Sequence, residues 1–132
     1  MDASPALKAL LEKKALGHVI TMNKNGSPQV TLVWMDVHNG KPSFNTNNAR
    51  QKGRNLVRDN RIMVSVQNPD NPIEFAVIEG TATIIDDTTN EHINSIARKF
   101  TGADYANFQP GEQRISVDID VSRVTGRGEW VS

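Results

Sequence analysis

Near the end of this 132-residue chain, Ile115, Val117, Ile119 and Val121 alternate without a break with Ser116, Asp118, Asp120 and Ser122. A period of two sustained over that length describes a half-buried β-strand and is incompatible with a helix. One such strand needs paired neighbours on both sides and a covered face, so the rest of the chain must supply more strands. It does so in order. His18–Asn23 reads as a strand, Asn25-Gly26 as a hairpin turn, and Gln29–His38 as a longer strand with Val30, Leu32 and Trp34 on one face and Thr31, Val33 and Met35 on the other. A second turn signal, Asn39-Gly40, leads to Pro42–Thr46. Arg61–Gln67 is rich in β-branched residues, Asn68-Pro69-Asp70-Asn71-Pro72 is a loop, and Glu74–Ile85 is a long strand. Gly80 in the middle of that strand predicts a bulge or a sharp bend.

Three stretches read as helices. Ser4 before Pro5 is an N-cap signal, and Leu7, Leu10 and Leu11 recur at helical spacing, which predicts a helix from Pro5 to Lys14. Asn48–Asp59 reads as a second, capped by Asn47 or Asn48. Thr88-Thr89-Asn90-Glu91 fits a capping box opening a third, with Ile93, Ile96, Ala97 and Phe100 on one side. The order α-βββ-α-ββ-α-β predicts one mainly β (α+β) domain over residues 1–132, a small antiparallel barrel of six strands with short helices at the connections.

Composition narrows the chemistry. The absence of cysteine excludes disulfides, iron–sulfur clusters and thiol catalysis, and no apolar run approaches the ~20 residues needed to span a bilayer. With no signal-peptide pattern at Met1–Pro5, the expectation is a cytoplasmic protein without a membrane partner. His18, His38 and His92 show no ligand spacing, Asp86-Asp87 reads more simply as a strand end that favours the next helix than as a metal pair, and no nucleophile elbow or glycine-rich phosphate loop is present. If the protein is an enzyme, a cofactor must supply the chemistry.

The net charge of zero conceals an asymmetry. Residues 1–66 carry ten Lys/Arg against four Asp/Glu, and residues 67–132 carry five against eleven. Arg50, Lys52 and Arg54 crowd the N-terminal half of the second helix, where free backbone N–H groups are already positive. A phosphate would complete such a site; alternatively, these are surface cations that meet carboxylates from the acidic second half. The basic helix holds no aromatic residue, which argues against a single-stranded nucleic-acid platform.

Thr21–Gln29, the strand through Trp34, Thr46 followed by Arg50-x-Lys52-x-x-Asn55-Leu56, Glu79-Gly80-Thr81-Ala82, and Arg114–Val124 occur in the order in which the chain resembles the FMN-binding split β-barrel superfamily of pyridoxamine-phosphate-oxidase-like proteins, from about Leu7 to Gly128. Within it, the sequence looks most like the branch that uses the deazaflavin coenzyme F420. The resemblance implies a Greek-key-like split barrel and a homodimer with cofactors where the barrels meet. It implies that Arg50 and Lys52 hold the cofactor phosphate and Asn55 braces that turn, that Thr46 and Asn47 contact the ribityl–phosphate portion, and that Thr31, Leu32, Val33 and Trp34 run along the ring edge. Phe75 and Trp130 are candidates to complete a partner's ring pocket. The implied activity is hydride transfer to a conjugated small molecule. The alternatives are an FMN-dependent oxidase or reductase of the same fold, or a non-catalytic flavin- or deazaflavin-binding protein. The surplus cations Lys41, Arg54 and Arg58 could meet the carboxylates of a deazaflavin tail, and solvation at the surface explains them equally well.

Overall fold

The computed structural model describes residues 2–47 and 49–131. The elements run α1 (Pro5–Glu12), β1 (Leu16–Met22), β2 (Pro28–Trp34), β3 (Asp36–His38), β4 (Lys41–Asn47), α2 (Gln51–Arg58), β5 (Arg61–Gln67), β6 (Phe75–Asp86), α3 (Glu91–Thr101) and β7 (Arg114–Arg127). All strands join one antiparallel sheet in the order β2-β1-β5-β6-β7-β4-β3.

The sheet has seven strands where the sequence predicts six, and the difference locates the split. The predicted strand Gln29–His38 breaks at Met35: Trp34 pairs with Leu16 on one edge strand's neighbour, while Asp36 pairs with Ser43 at the opposite end of the sheet. Two residues apart in sequence, Trp34 and Asp36 sit on opposite edges, so the sheet must curl until those edges approach. Met35, fully buried, turns this corner with its N–H on the carbonyl of Ala15 (3.1 Å). The Nζ of Lys99 in α3 pins it by donating to the carbonyls of Met35 (2.6 Å) and Leu11 (2.8 Å).

Turn chemistry follows the sequence. Asn39 and Gly40 both take positive φ (54° and 75°), the conformation a two-residue hairpin demands between His38 and Lys41. The predicted bend at Gly80 is a register shift between Glu79 and Gly80, where β7 bulges at Ser122 because Glu79 pairs with Arg123 and Gly80 with Val121. Leu7, Leu10 and Leu11 of α1 seal one end of a core built on Val19, Phe44, Val64, Ile78, Val117 and Ile119, and the Ser4 hydroxyl caps α1 by accepting from the Leu7 N–H (3.2 Å).

Three local expectations are corrected. Helix α1 stops at Glu12 rather than Lys14. Helix α2 begins at Gln51 with Arg50 as its cap residue; Asn47 stands earlier and accepts the N–H groups of Ala49 (3.1 Å) and Arg50 (2.9 Å), while the Asn48 alternative lies outside the described residues. The capping box at Thr88–Glu91 does not form, because Asn90 turns into the left-handed region (φ 61°) and Asp87 takes over, accepting from the N–H groups of His92 (3.2 Å) and Ile93 (2.9 Å). No described helix is long and apolar enough to cross a membrane.

Candidate functional site

A cleft of about 340 Å³ opens beside the split. Its apolar side is Leu16, Leu32, Val33 and Trp34 from β1 and β2, facing Ile93 and Ile96 of α3; its polar side is Arg50, Lys52, Asn45 and Arg114, with Tyr105 and Asn107 from the loop after α3. Trp34 stacks on Phe100 of α3 with ring centroids 5.1 Å apart and planes 9° from parallel, which fixes the spacing between the two apolar walls. As β2 ends the sheet, alternate backbone N–H and C=O groups along Thr31–Trp34 have no sheet partner among the described residues.

The cations divide into those with partners and those without. Lys13 pairs with Asp70 (2.7 Å) and Lys41 with Asp2 and Asp120 (3.2 and 3.4 Å), so acids of the second half do meet some bases of the first. Arg54 donates to Gln51 and the Ala49 carbonyl, and Arg58 to Asn55 and the Met22 carbonyl. The side chains of Arg50 and Lys52, which line the cleft, have no hydrogen-bond or ion-pair partner among the described residues. Lys52 is 6% exposed, and burial, reinforced by the neighbouring Arg50 and Arg114, lowers its pKa from the usual lysine value. A buried lysine without a partner among the described residues, at the start of a helix that has no acidic residue in its first turn, has a charge that an anion would balance.

Asn55, fully buried, donates to Thr21 Oγ1 and Asn23 Oδ1 (3.0 Å each) and accepts from Gln51 Nε2 (2.7 Å), tying the first turn of α2 to the end of β1. Asn47 gives its Nδ2 to Glu112 Oε2 (2.6 Å), so both ends of its side chain shape the turn. The Oγ1 atoms of Thr31 and Thr46 are buried without a partner among the described residues, and neither residue lines the cleft. Phe75 and Trp130 meet each other, the indole Nε1 donating to the Phe75 carbonyl (2.9 Å), but neither lines the cleft of its own chain.

A sequence model of the pyridoxamine 5'-phosphate oxidase family matches residues 3–127. The chain belongs to this family. Among solved structures, the fold is similar to one named F420 reductase (TM-score 0.78, 24% identity, covering 89% of this chain and 94% of that one). It is also similar to a conserved hypothetical protein from Mycobacterium tuberculosis (TM-score 0.73, 22% identity, 96% and 89% covered). A pyridoxamine 5'-phosphate oxidase-related, FMN-binding protein from Nostoc punctiforme is a further relative in fold (TM-score 0.62, 13% identity, 88% and 74% covered). No curated protein matches the chain. The cleft therefore belongs to a pyridoxamine 5'-phosphate oxidase family fold.

Membership in the family does not account for the other face of β7. Its polar residues, read from the sequence as facing away from the core, are buried at Ser116 and Asp118 (2% exposed each) under α3 and β3. His38 Nδ1 donates to Asp118 Oδ1 (2.8 Å), Ser43 Oγ lies 2.7 Å from the same oxygen, His92 Nδ1 lies 2.5 Å from Ser116 Oγ, and the two imidazoles stack 4.1 Å apart. Burial, with the neighbouring His38, lowers the pKa of His92 against the opposing pull of Asp36, Asp87 and Asp118. The unfolded chain therefore binds a proton that the folded one refuses. Stability is expected to hold above about pH 6.5 and to fall below it, with a slope of up to ~1.4 kcal/mol per pH unit from this group. Urea unfolding from pH 7 to 5 checks this, and His92→Gln should flatten the profile over that range.

Sequence reading found the cations of α2 and the edge strand but missed Arg114, Asn45 and Tyr105. Arg114 and Asn45 sit in strands predicted correctly, and only the pairing of β4 with β7, Asn45 opposite Ser116 and Asn47 opposite Arg114, brings them to the cleft.

Proposed function

We propose that this protein is a deazaflavin (coenzyme F420)-dependent oxidoreductase that reduces a conjugated small molecule, acting as a cytoplasmic homodimer. The observation that carries the reading is Lys52: a buried lysine that lines the cleft beside Arg50 and has no partner among the described residues. These residues fit a phosphorylated ring cofactor. Arg50 and Lys52 would hold its phosphate at the start of α2, and Leu32, Trp34, Ile93 and Ile96 would exclude water from a flat ring. The bound coenzyme supplies two-electron hydride chemistry. Edge-strand groups of Thr31–Trp34 orient the ring, and the open side of the cleft admits the acceptor, so orientation carries most of the rate enhancement.

Two observations support the deazaflavin over FMN. The fold is similar to that of a protein named F420 reductase. A second, shallow depression lined by Asn23, Lys24, Asn25, Gln29 and Gln51 adjoins the start of α2 and offers polar contacts to a tail extending past the phosphate. Of the three cations that could meet that tail, Lys41 is engaged by Asp2 and Asp120, Arg54 by Gln51 and the Ala49 carbonyl, and Arg58 by Asn55 and the Met22 carbonyl. The homodimer is supported by the outer face of β1 and β2, where Leu16 (42%), Val30 (56%) and Leu32 (54%) stand exposed in one patch. Phe75 and Trp130 would then reach the partner's cleft.

Fluorescence titration of the purified protein with coenzyme F420 and, separately, FMN tests the reading. Tighter binding of F420 supports it. Tighter FMN binding moves the chemistry to flavin, and binding of neither removes the proposal.

A further inference from the structure

Arg114 opens β7 with its side chain only 3% exposed, although it is charged and belongs to the cleft wall. Its Nε donates to Asn45 Oδ1 (2.9 Å), its Nη1 lies 3.4 Å from Glu112 Oε1, and the guanidinium lies over the Tyr105 ring, 4.9 Å from the centroid. Nη2 has no hydrogen-bond partner among the described residues. Buried arginines carry a heavy desolvation cost that a single carboxylate at that distance does not offset. The positive field of Arg114 is felt at Lys52, so Arg50, Lys52 and Arg114 form one cluster with Glu112 as its nearby acid.

The amide of Asn45 has a single possible orientation. Its Nδ2 lies 3.0 Å from the Asp87 carboxylate, which only accepts, and its Oδ1 faces the Nε of Arg114, which only donates. Asp87, 7% exposed, is itself fixed because it accepts the N–H groups of His92 and Ile93 at the start of α3. Helix α3 then presents Ile93 and Ile96 to the cleft. The cationic side and the apolar wall of the cleft are thus joined through one carboxylate and one amide.

We propose that Arg114 is a third ligand of the phosphate bound at Arg50 and Lys52, and that Asn45, locked by Asp87, is the residue that positions it. This rests on the reading of the cleft as a phosphate site. A directed contact distinguishes Arg114 from Lys52: Asn45 on Nε and the Tyr105 ring against the guanidinium hold its plane, and Nη2, without a partner among the described residues, is left for the ligand.

The test compares ligands that differ only in the phosphate end: FMN against riboflavin, and coenzyme F420 against its phosphate-free deazariboflavin chromophore, each titrated by fluorescence. Arg114→Met is expected to weaken the phosphorylated member of a pair by about ten- to a hundredfold and the phosphate-free member by less than about twofold. Arg114→Lys should recover only part of the loss. Asn45→Ala should weaken phosphorylated ligands about five- to tenfold, and in the Arg114→Met background it should add less than about twofold, since it acts through the guanidinium. Equal loss for both members of a pair, or full multiplication of the two effects in the double variant, overturns the proposal. If Arg114→Met does not fold by circular dichroism, Asn45→Ala decides alone: its loss must be confined to phosphorylated ligands. A wild-type protein indifferent to the phosphate removes the phosphate reading of the cleft itself. A wild type that prefers the phosphate, with an Arg114→Met variant that does so equally, removes only the role of Arg114.

Discussion

Lys52→Met is expected to raise the melting temperature of the ligand-free protein and, at the same time, to weaken FMN or coenzyme F420 by about ten- to a hundredfold. Both effects have one origin. Burial and the fields of Arg50 and Arg114 lower the pKa of Lys52, so its charged form is less favourable in the folded chain than in the unfolded one. A lysine whose folded value lies below its unfolded value destabilises the fold at neutral pH. Stability then rises with pH from the lowered value up to the ordinary one, ~10.4. Methionine keeps the aliphatic stem and omits the charge, so its advantage should be largest near pH 7 and vanish at alkaline pH. Each kcal/mol gained is read as roughly 3–6 °C in a domain of this size. A bound phosphate reverses the balance by favouring the ammonium, so wild-type affinity should fall as pH rises through the lowered value. Scanning calorimetry with and without ligand at pH 7 and pH 10 separates the two contributions. A variant that loses affinity without gaining stability would show that Lys52 is not strained in the empty cleft.

Gly80→Ala is expected to destabilise the protein by about 3 kcal/mol, a fall of roughly 10 °C in Tm. A Cβ at position 80 would stand 2.0 Å from the Asp120 carbonyl oxygen and 2.9 Å from its carbon, both backbone atoms of the neighbouring strand. Those atoms cannot move aside, because β7 there pairs with β6 on both sides of the bulge, Arg123 opposite Glu79 and Asp120 opposite Thr81. Thr81→Ala, exposed one residue on, is the control and should stay within about 0.5 kcal/mol. Urea denaturation of the pair gives the comparison, and equal midpoints would mean that the bulge relaxes.

The fold was legible wherever a local rule has one outcome. Period two placed β7, paired positive-φ positions placed the β3–β4 hairpin, and Gly80 placed the bulge. Met35 was not legible, because a buried methionine in an apolar run looks the same in the middle of a strand as at a corner between two edges. The capping box failed for a similar reason: Thr88–Glu91 has the right residue types, yet Asp87 is better placed once β6 ends beside α3. In the candidate site, Arg50 and Lys52 announced themselves by standing at the wrong end of a helix. Arg114 has no such local oddity, since an arginine opening a strand is unremarkable until the pairing with β4 brings it across the cleft. Ser116 and Asp118 show the limit of alternation, which separates two faces but does not say whether the polar one reaches water.

The order of strands in the sheet also sets the order in which the protein can assemble. Strands β3 and β4 join the sheet only through β7, so the hairpin of residues 36–47 must wait for residues 114–127 before it has a neighbour. Contacts across that many intervening residues make for slow closure. On a ribosome, β1, β2, β5 and β6 have all their mutual partners before β7 emerges, whereas Asn45 sits in a strand whose link to that sheet is still missing. A nascent chain halted before Arg114 therefore holds part of a sheet without the strand that brings Asn45 and Arg114 together in the cleft wall.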